Sequence, residues 1–255
     1  MSFEVIDFHS HPFLKANEQV GAYRDVIPMS VEEFAEDMER EGVTHFCGSV
    51  IGGGVIGFDG LFPLNRDALR LREIYGEKYI PGFHVHPDYV KESCEEIDFA
   101  VKNGVRLIGE LVPYAHGWSD YSCQGFSEIL DYAAEKEMLF SLHPMDLDQM
   151  EIMAGKHSNV QFVFAHPGEG ERVTKLIEIM EKHENVFLDL SGTGLARYGI
   201  LRKLTQTVGA ERILFGTDYP ICNLKMYIAG VLGEKISDND KERILSKNAK
   251  RLLKI

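Results

Sequence analysis

The chain of 255 residues is predicted to fold as a (β/α)8 barrel, a single domain over residues 1–255. Three observations lead there. Eight short apolar runs recur along the chain, each followed by an amphipathic stretch. Runs of this length, apolar on both faces, suit buried parallel strands alternating with helices. The length also matches the roughly 250 residues that such a barrel consumes.

The elements follow in order. The first run begins near Glu4 and continues through Asp7, Phe8, His9, Ser10, His11 and Pro12. Ser30 followed by Glu33 offers a capping box, and Phe34 and Met38 then repeat at helical spacing. The second and third runs begin near Val43 and Tyr79, the third leading to His84 and His86. The fourth, from Val105, ends Leu107-Ile108-Gly109-Glu110; the fifth, from Met138, ends Leu142-His143-Pro144. The sixth, from Val160, ends Ala165-His166-Pro167-Gly168. Residues 170–184 then place Val173, Leu176, Ile177 and Met180 on one helical face. The seventh run begins near Val186; the eighth, from Arg212, ends Gly216-Thr217-Asp218-Tyr219-Pro220. Residues 238–255 read as one or two terminal helices. Pro81, Pro87, Pro113, Pro144, Pro167 and Pro220 mostly follow the runs, where strands yield to loops. A doubly wound sheet is the rival, but it needs about five or six strands. The glycine run Gly52-Gly53-Gly54 also lacks a dinucleotide or phosphate-loop pattern.

Composition removes several classes. The formal net charge is −13, from 27 Lys+Arg against 40 Asp+Glu, which argues against broad binding to nucleic acid. No apolar run approaches the roughly 20 residues of a membrane span, and the N-terminus lacks a signal-peptide pattern. Cys47, Cys94, Cys123 and Cys222 are widely spaced and read as reduced thiols, so a cytoplasmic location is expected. The expected partner is a small-molecule substrate, with no membrane or nucleic acid; a homo-oligomer is left open.

The histidines carry the chemistry. Residues two apart on a strand share a face, so His9 and His11 project together as half of a metal site. Alone, such a pair also fits two polar residues at a strand end. Glu110, His143, His166 and Asp218 change the weighing, because each ends an apolar run. In a parallel barrel all those ends meet at one mouth.

This constellation resembles the amidohydrolase superfamily, in its amidohydrolase-related branch, across essentially the whole chain. The likeness rests on the pair His9 and His11, on His143, His166 and Asp218, and on the tail from Glu242 to Leu253. It implies a divalent metal, zinc first with manganese or iron as alternatives, bound as one or two ions. The implied ligands are His9, His11, Glu110, His143, His166 and Asp218. Where relatives often carry a modified lysine this chain has Glu110, read as a bridge between ions or an acid orienting an imidazole. The implied reaction is hydrolysis of a small amide, ester, lactone or phosphoester by metal-activated water. Asp218 would shuttle the proton and His166 would ligate a second ion or polarise the substrate. Decarboxylation of an aromatic or unsaturated acid is the alternative; a TatD-like nuclease and a non-catalytic metal-binding barrel stand further back.

Substrate contacts are assigned to Tyr114, His116 and Trp118 on the loop after the fourth run. Arg197, after the seventh, is the candidate carboxylate clamp. Asp7 is a candidate partner of His9. His84 and His86 are placed near the mouth without being ligands.

Overall fold

Eight short strands follow one another around one sheet in chain order. They are β1 (Val5–Asp7), β2 (Val43–Ser49), β3 (Tyr79–Phe83), β4 (Leu107–Leu111), β5 (Leu139–Leu142), β6 (Gln161–Phe164), β7 (Val186–Asp189) and β8 (Ile213–Leu214). This computed structural model describes residues 3–21, 28–52 and 57–255; Gly53 and Gly54 of the glycine run lie outside them. Each strand pairs in parallel with the next. The first and last segments are joined where Phe8 N–H donates to Phe215 O at 2.9 Å and by a parallel bridge between Ser10 and Tyr219. The sheet therefore curls into the expected (β/α)8 barrel. The strands start close to the sequence expectations, the largest offset being Leu107 against Val105. Pro81 differs: it lies inside β3, paired with Gly48, rather than in the loop beyond.

Helices fill the crossovers: α1 (Val31–Arg40), α2 (Phe58–Tyr75), α3 (Val90–Lys102), α4 (Gln124–Ala134), α5 (Leu147–Lys156), α6 (Glu171–Lys182), α7 (Ile200–Thr207) and α8 (Leu224–Gly233). The tail forms α9 (Asp238–Glu242), a π-helical turn (Arg243–Lys247) and α10 (Asn248–Leu253). The Ser30–Glu33 capping box is present at the start of α1: Ser30 Oγ accepts from Glu33 N–H at 3.1 Å, and Glu33 Oε2 accepts from Ser30 N–H at 2.6 Å. Phe34 and Met38 form its buried face, and Val173, Leu176, Ile177 and Met180 are buried on α6.

Two apolar layers hold the barrel. The larger lies between strands and helices and includes Phe34, Phe46, Ile108, Phe140, Phe162 and Leu188. The smaller gathers one side chain from every strand: Ile6, Cys47, Ile80, Leu107, Leu139, Val163, Phe187 and Leu214. Ala249, Leu252 and Leu253 of α10 pack against that ring. The tail thus plugs the barrel at the strand starts and leaves the opposite end for chemistry. All four cysteines are free. Among the described residues no helix is long and apolar enough to cross a membrane.

Candidate metal centre

Four imidazoles and two carboxylates converge where the strands end. His9 and His11 follow β1, Glu110 lies in β4, His143 follows β5, His166 follows β6 and Asp218 follows β8. They form three overlapping triads: His9 with His166 and Asp218, His9 with His11 and Glu110, and Glu110 with His143 and His166. Within each triad the donor atoms lie within 4.8 Å of one another. Local backbone makes the approach workable. Gly109 has φ +103°, and a Cβ there would sit 2.1 Å from Ser141 O, so only glycine lets β4 run this close to β5. His166 and Asp218 themselves adopt positive φ, at 58° and 69°, conformations that residues with a Cβ hold only when their surroundings enforce them.

Glu110 is the hub. Its Oε2 stands 3.3 Å from His9 Nε2 and 3.5 Å from His11 Nε2. Its Oε1 stands 2.9 Å from His143 Nδ1 and 3.4 Å from His166 Nε2. Asp218 Oδ1 closes the ring, 3.0 Å from His11 Nε2 and 3.7 Å from His9 Nε2. Burial opposes charge throughout the cluster, but the partners outweigh it. Glu110 and Asp189 hold His9 well above the ordinary histidine range, and Glu110 also raises His166. His9, His143 and His166 hold Glu110 well below the usual carboxylate range.

The donor set fits a divalent cation. His9 Nε2 and His11 Nε2 stand 3.3 Å apart, and both face carboxylate oxygens of Glu110 and Asp218. Two carboxylates aimed at the same point supply the negative charge that a cation offsets. Imidazole and carboxylate donors suit zinc, manganese or iron.

Around the cluster opens a cavity of about 490 Å³. Its polar lining is His11, Glu110, His143, His166 and Asp218, with Tyr114 at the rim; Val20, Ile51, Val112, Ala115 and Ile221 form apolar walls. The Tyr114 ring meets His143 edge-on at 5.3 Å. The other expected substrate contacts lie elsewhere. His116 is buried, and its Nε2 donates to Ile51 O at 3.2 Å, so it braces a wall rather than facing the cavity. Trp118 is buried too, packed on Tyr121 and Phe126 at 5.2 and 5.3 Å, because so large an apolar ring gains more in the core than at the rim. Arg197 is not part of the cavity lining and makes a two-pronged, exposed pair with Glu169, both contacts at 2.8 Å.

Supporting groups complete the picture. Asp7 accepts from His9 N–H and from Thr217 N–H, tying β1 to the segment before Asp218 without touching the His9 ring. Burial pushes its carboxyl up to about 7 against those hydrogen bonds. His84 Nε2 donates to Val50 O and His86 Nε2 to His116 O, at 2.9 and 3.0 Å, behind the wall. Sequence reasoning missed Asp189 and Ser191, whose Oδ2 and Oγ each stand 3.0 Å from His9 Nδ1. Their signal was present: Asp189 also ends an apolar run, and Ser191 follows two residues on.

The donors gather at the C-terminal ends of the strands, where barrels of this kind place their active sites. The amidohydrolase family model matches residues 6–255, and the chain belongs to that family. None of the curated proteins matches the sequence. Among solved structures, 5-carboxyvanillate decarboxylase from Sphingomonas paucimobilis is similar at 15% identity and TM-score 0.75, covering 100% of both chains. A dihydroxybenzoic acid decarboxylase from a Polaromonas species, with bound manganese and the inhibitor 2-nitroresorcinol, is similar at 14% identity and TM-score 0.69, covering 99% of this chain and 97% of that one. A probable 2-pyrone-4,6-dicarboxylic acid hydrolase from Acinetobacter baumannii is similar at 13% identity and TM-score 0.71, covering 99% of this chain and 100% of that one. At these identities the likeness is one of fold.

Proposed function

We propose that this chain is a divalent-metal-dependent decarboxylase of a small aromatic or unsaturated carboxylic acid. The observation that carries the reading is the cavity: apolar walls leading straight onto the donor cluster, with no Lys or Arg in the described lining. A flat apolar acid fills such walls, and its carboxylate meets positive charge only at a cation held by the cluster. The fold likeness to two decarboxylases of aromatic acids supports the same choice, and one of them holds manganese. When bound, the cation supplies Lewis acidity toward the substrate's oxygen atoms. Tyr114 at the rim is suited to cover the ring. Asp218, lining the cavity beside His11, is placed to exchange a proton with the substrate. Breaking the carbon–carboxylate bond leaves its electron pair on the ring carbon. That carbon takes a proton, and carbon dioxide departs.

Hydrolysis is the second reading, favoured by how Glu110 divides its donors. One oxygen faces His9 and His11 and the other faces His143 and His166, an arrangement suited to bridging two ions. Likeness to a probable pyrone dicarboxylic acid hydrolase runs the same way. The deciding experiment incubates manganese-loaded and zinc-loaded protein with hydroxybenzoates, carboxyvanillate and a panel of lactones, esters and amides. Carbon dioxide release from the aromatic acids is expected. Turnover of the hydrolytic panel alone, with no carbon dioxide, would replace decarboxylation by hydrolysis.

A further inference from the structure

We infer that Asp189 and Ser191 act as a paired positioning device, fixing the tautomers of His9 and His166 so that both rings turn an Nε2 lone pair toward the metal centre. The proton count leads there. Asp189 is fully buried, and its Oδ1 accepts from Ser191 N–H at 2.9 Å. As a carboxylate it only accepts. Ser191 Oγ donates its single proton to Asp189 Oδ1, which can only accept. The oxygen's lone pairs then face His166 Nδ1 and His9 Nδ1, each 3.0 Å away. Asp189 Oδ2, also 3.0 Å from His9 Nδ1, has no proton to give. Every acceptor around these two Nδ1 atoms thus asks for an N–H. An imidazole that ligates a cation is neutral and carries one proton, which leaves Nε2 bare on both rings.

His9 and His166 come from opposite parts of the chain, yet one carboxylate sets both, directly for His9 and through one hydroxyl for His166. The spacing is that of a strand end: residues two apart share a face, so Asp189 and Ser191 reach inward together. The following residue makes room. Gly192 has φ +63°, and a Cβ there would lie 2.3 Å from His166 Nδ1. Partners beyond the ligand shell commonly govern ligand orientation and affinity. Here a single pair serves two ligands on two strands.

The inference rests on reading the cluster as a metal centre, and the experiment separates the two. Zinc affinity is measured by chelator competition for the wild type, Ser191→Ala and Asp189→Asn. Ring N–H signals of His9 and His166 are followed in histidine-labelled, zinc-loaded protein. Melting of the metal-free proteins is measured alongside. Ser191→Ala should weaken zinc binding about tenfold. It should shift the His166 Nδ1–H signal more than the His9 signal, because His9 keeps Asp189 as a direct partner, while metal-free melting reports any cost to the fold separately. Asp189→Asn should disturb both signals. If wild type binds zinc and Ser191→Ala binds it equally with both signals unmoved, the assignment is overturned and the metal reading survives. A wild type that binds no zinc overturns both.

Discussion

At the scale of single residues, the centre depends on groups that share partners, so substitutions should separate by role. Asp218 lines the cavity, and its carboxylate stands beside His11. Asp218→Asn keeps the shape and removes the proton carrier, so turnover should fall by about 10²–10⁴-fold with the fold retained. Steady-state kinetics with circular dichroism checks this. His84 offers a pH signature. It is fully buried, and burial lowers its imidazole to about 3, against an ordinary 6.5, with His116 adding to the effect. The folded state therefore resists a proton that the unfolded chain accepts. The contribution is present above pH 6.5 and is lost as pH falls from 6.5 toward 3. Linkage gives a loss of about 2 kcal/mol between pH 7 and pH 5. Urea unfolding at the two pH values should show a smaller loss for His84→Gln than for wild type. The six converging donors were legible in the sequence because each ends an apolar run. Asp189 obeys the same rule yet is not singled out by it, since nothing in a linear pattern shows that its carboxylate meets His9 once the barrel closes. Trp118 and His116 are buried and outside the cavity lining, a placement that loop position alone does not reveal.

At the scale of elements, the tail and the caps carry separable energies. Leu252 of α10 packs against the ring of strand side chains at the end opposite the metal centre. Leu252→Ala should cost about 2–5 kcal/mol of stability, the range for emptying a buried leucine site. Metal affinity should stay unchanged, because no ligand touches α10. Denaturant unfolding and chelator competition on the same variant test both halves. Ser30→Ala removes the hydroxyl that caps α1 and should cost about 1 kcal/mol. The strands, the α1 cap and the apolar face of α6 were all readable, since periodicity and capping are local properties. The plug was not. The tail reads as helical from its pattern, but its docking under the barrel depends on Ile6, Leu107, Val163 and their neighbours forming a ring that exists only after closure.

At the scale of the whole molecule, the two ends of one barrel divide the work. Apolar residues of every strand and α10 close the strand starts, while polar residues at the strand ends gather cation donors around a cavity with apolar walls. This division made the fold class legible: eight runs in a chain of this length leave little else for them to build. The reaction was less legible, because hydrolysis and decarboxylation use the same converging donors and differ in what the walls accept and how many ions Glu110 touches. The central claim is that these six side chains form a divalent-metal centre. Its most direct test is elemental analysis of wild type and His11→Ala after dialysis against manganese or zinc. The account predicts at least one tightly held ion per wild-type chain and substantially less in the variant. A wild-type chain that retains no ion, or a variant that retains as much as wild type, would contradict it.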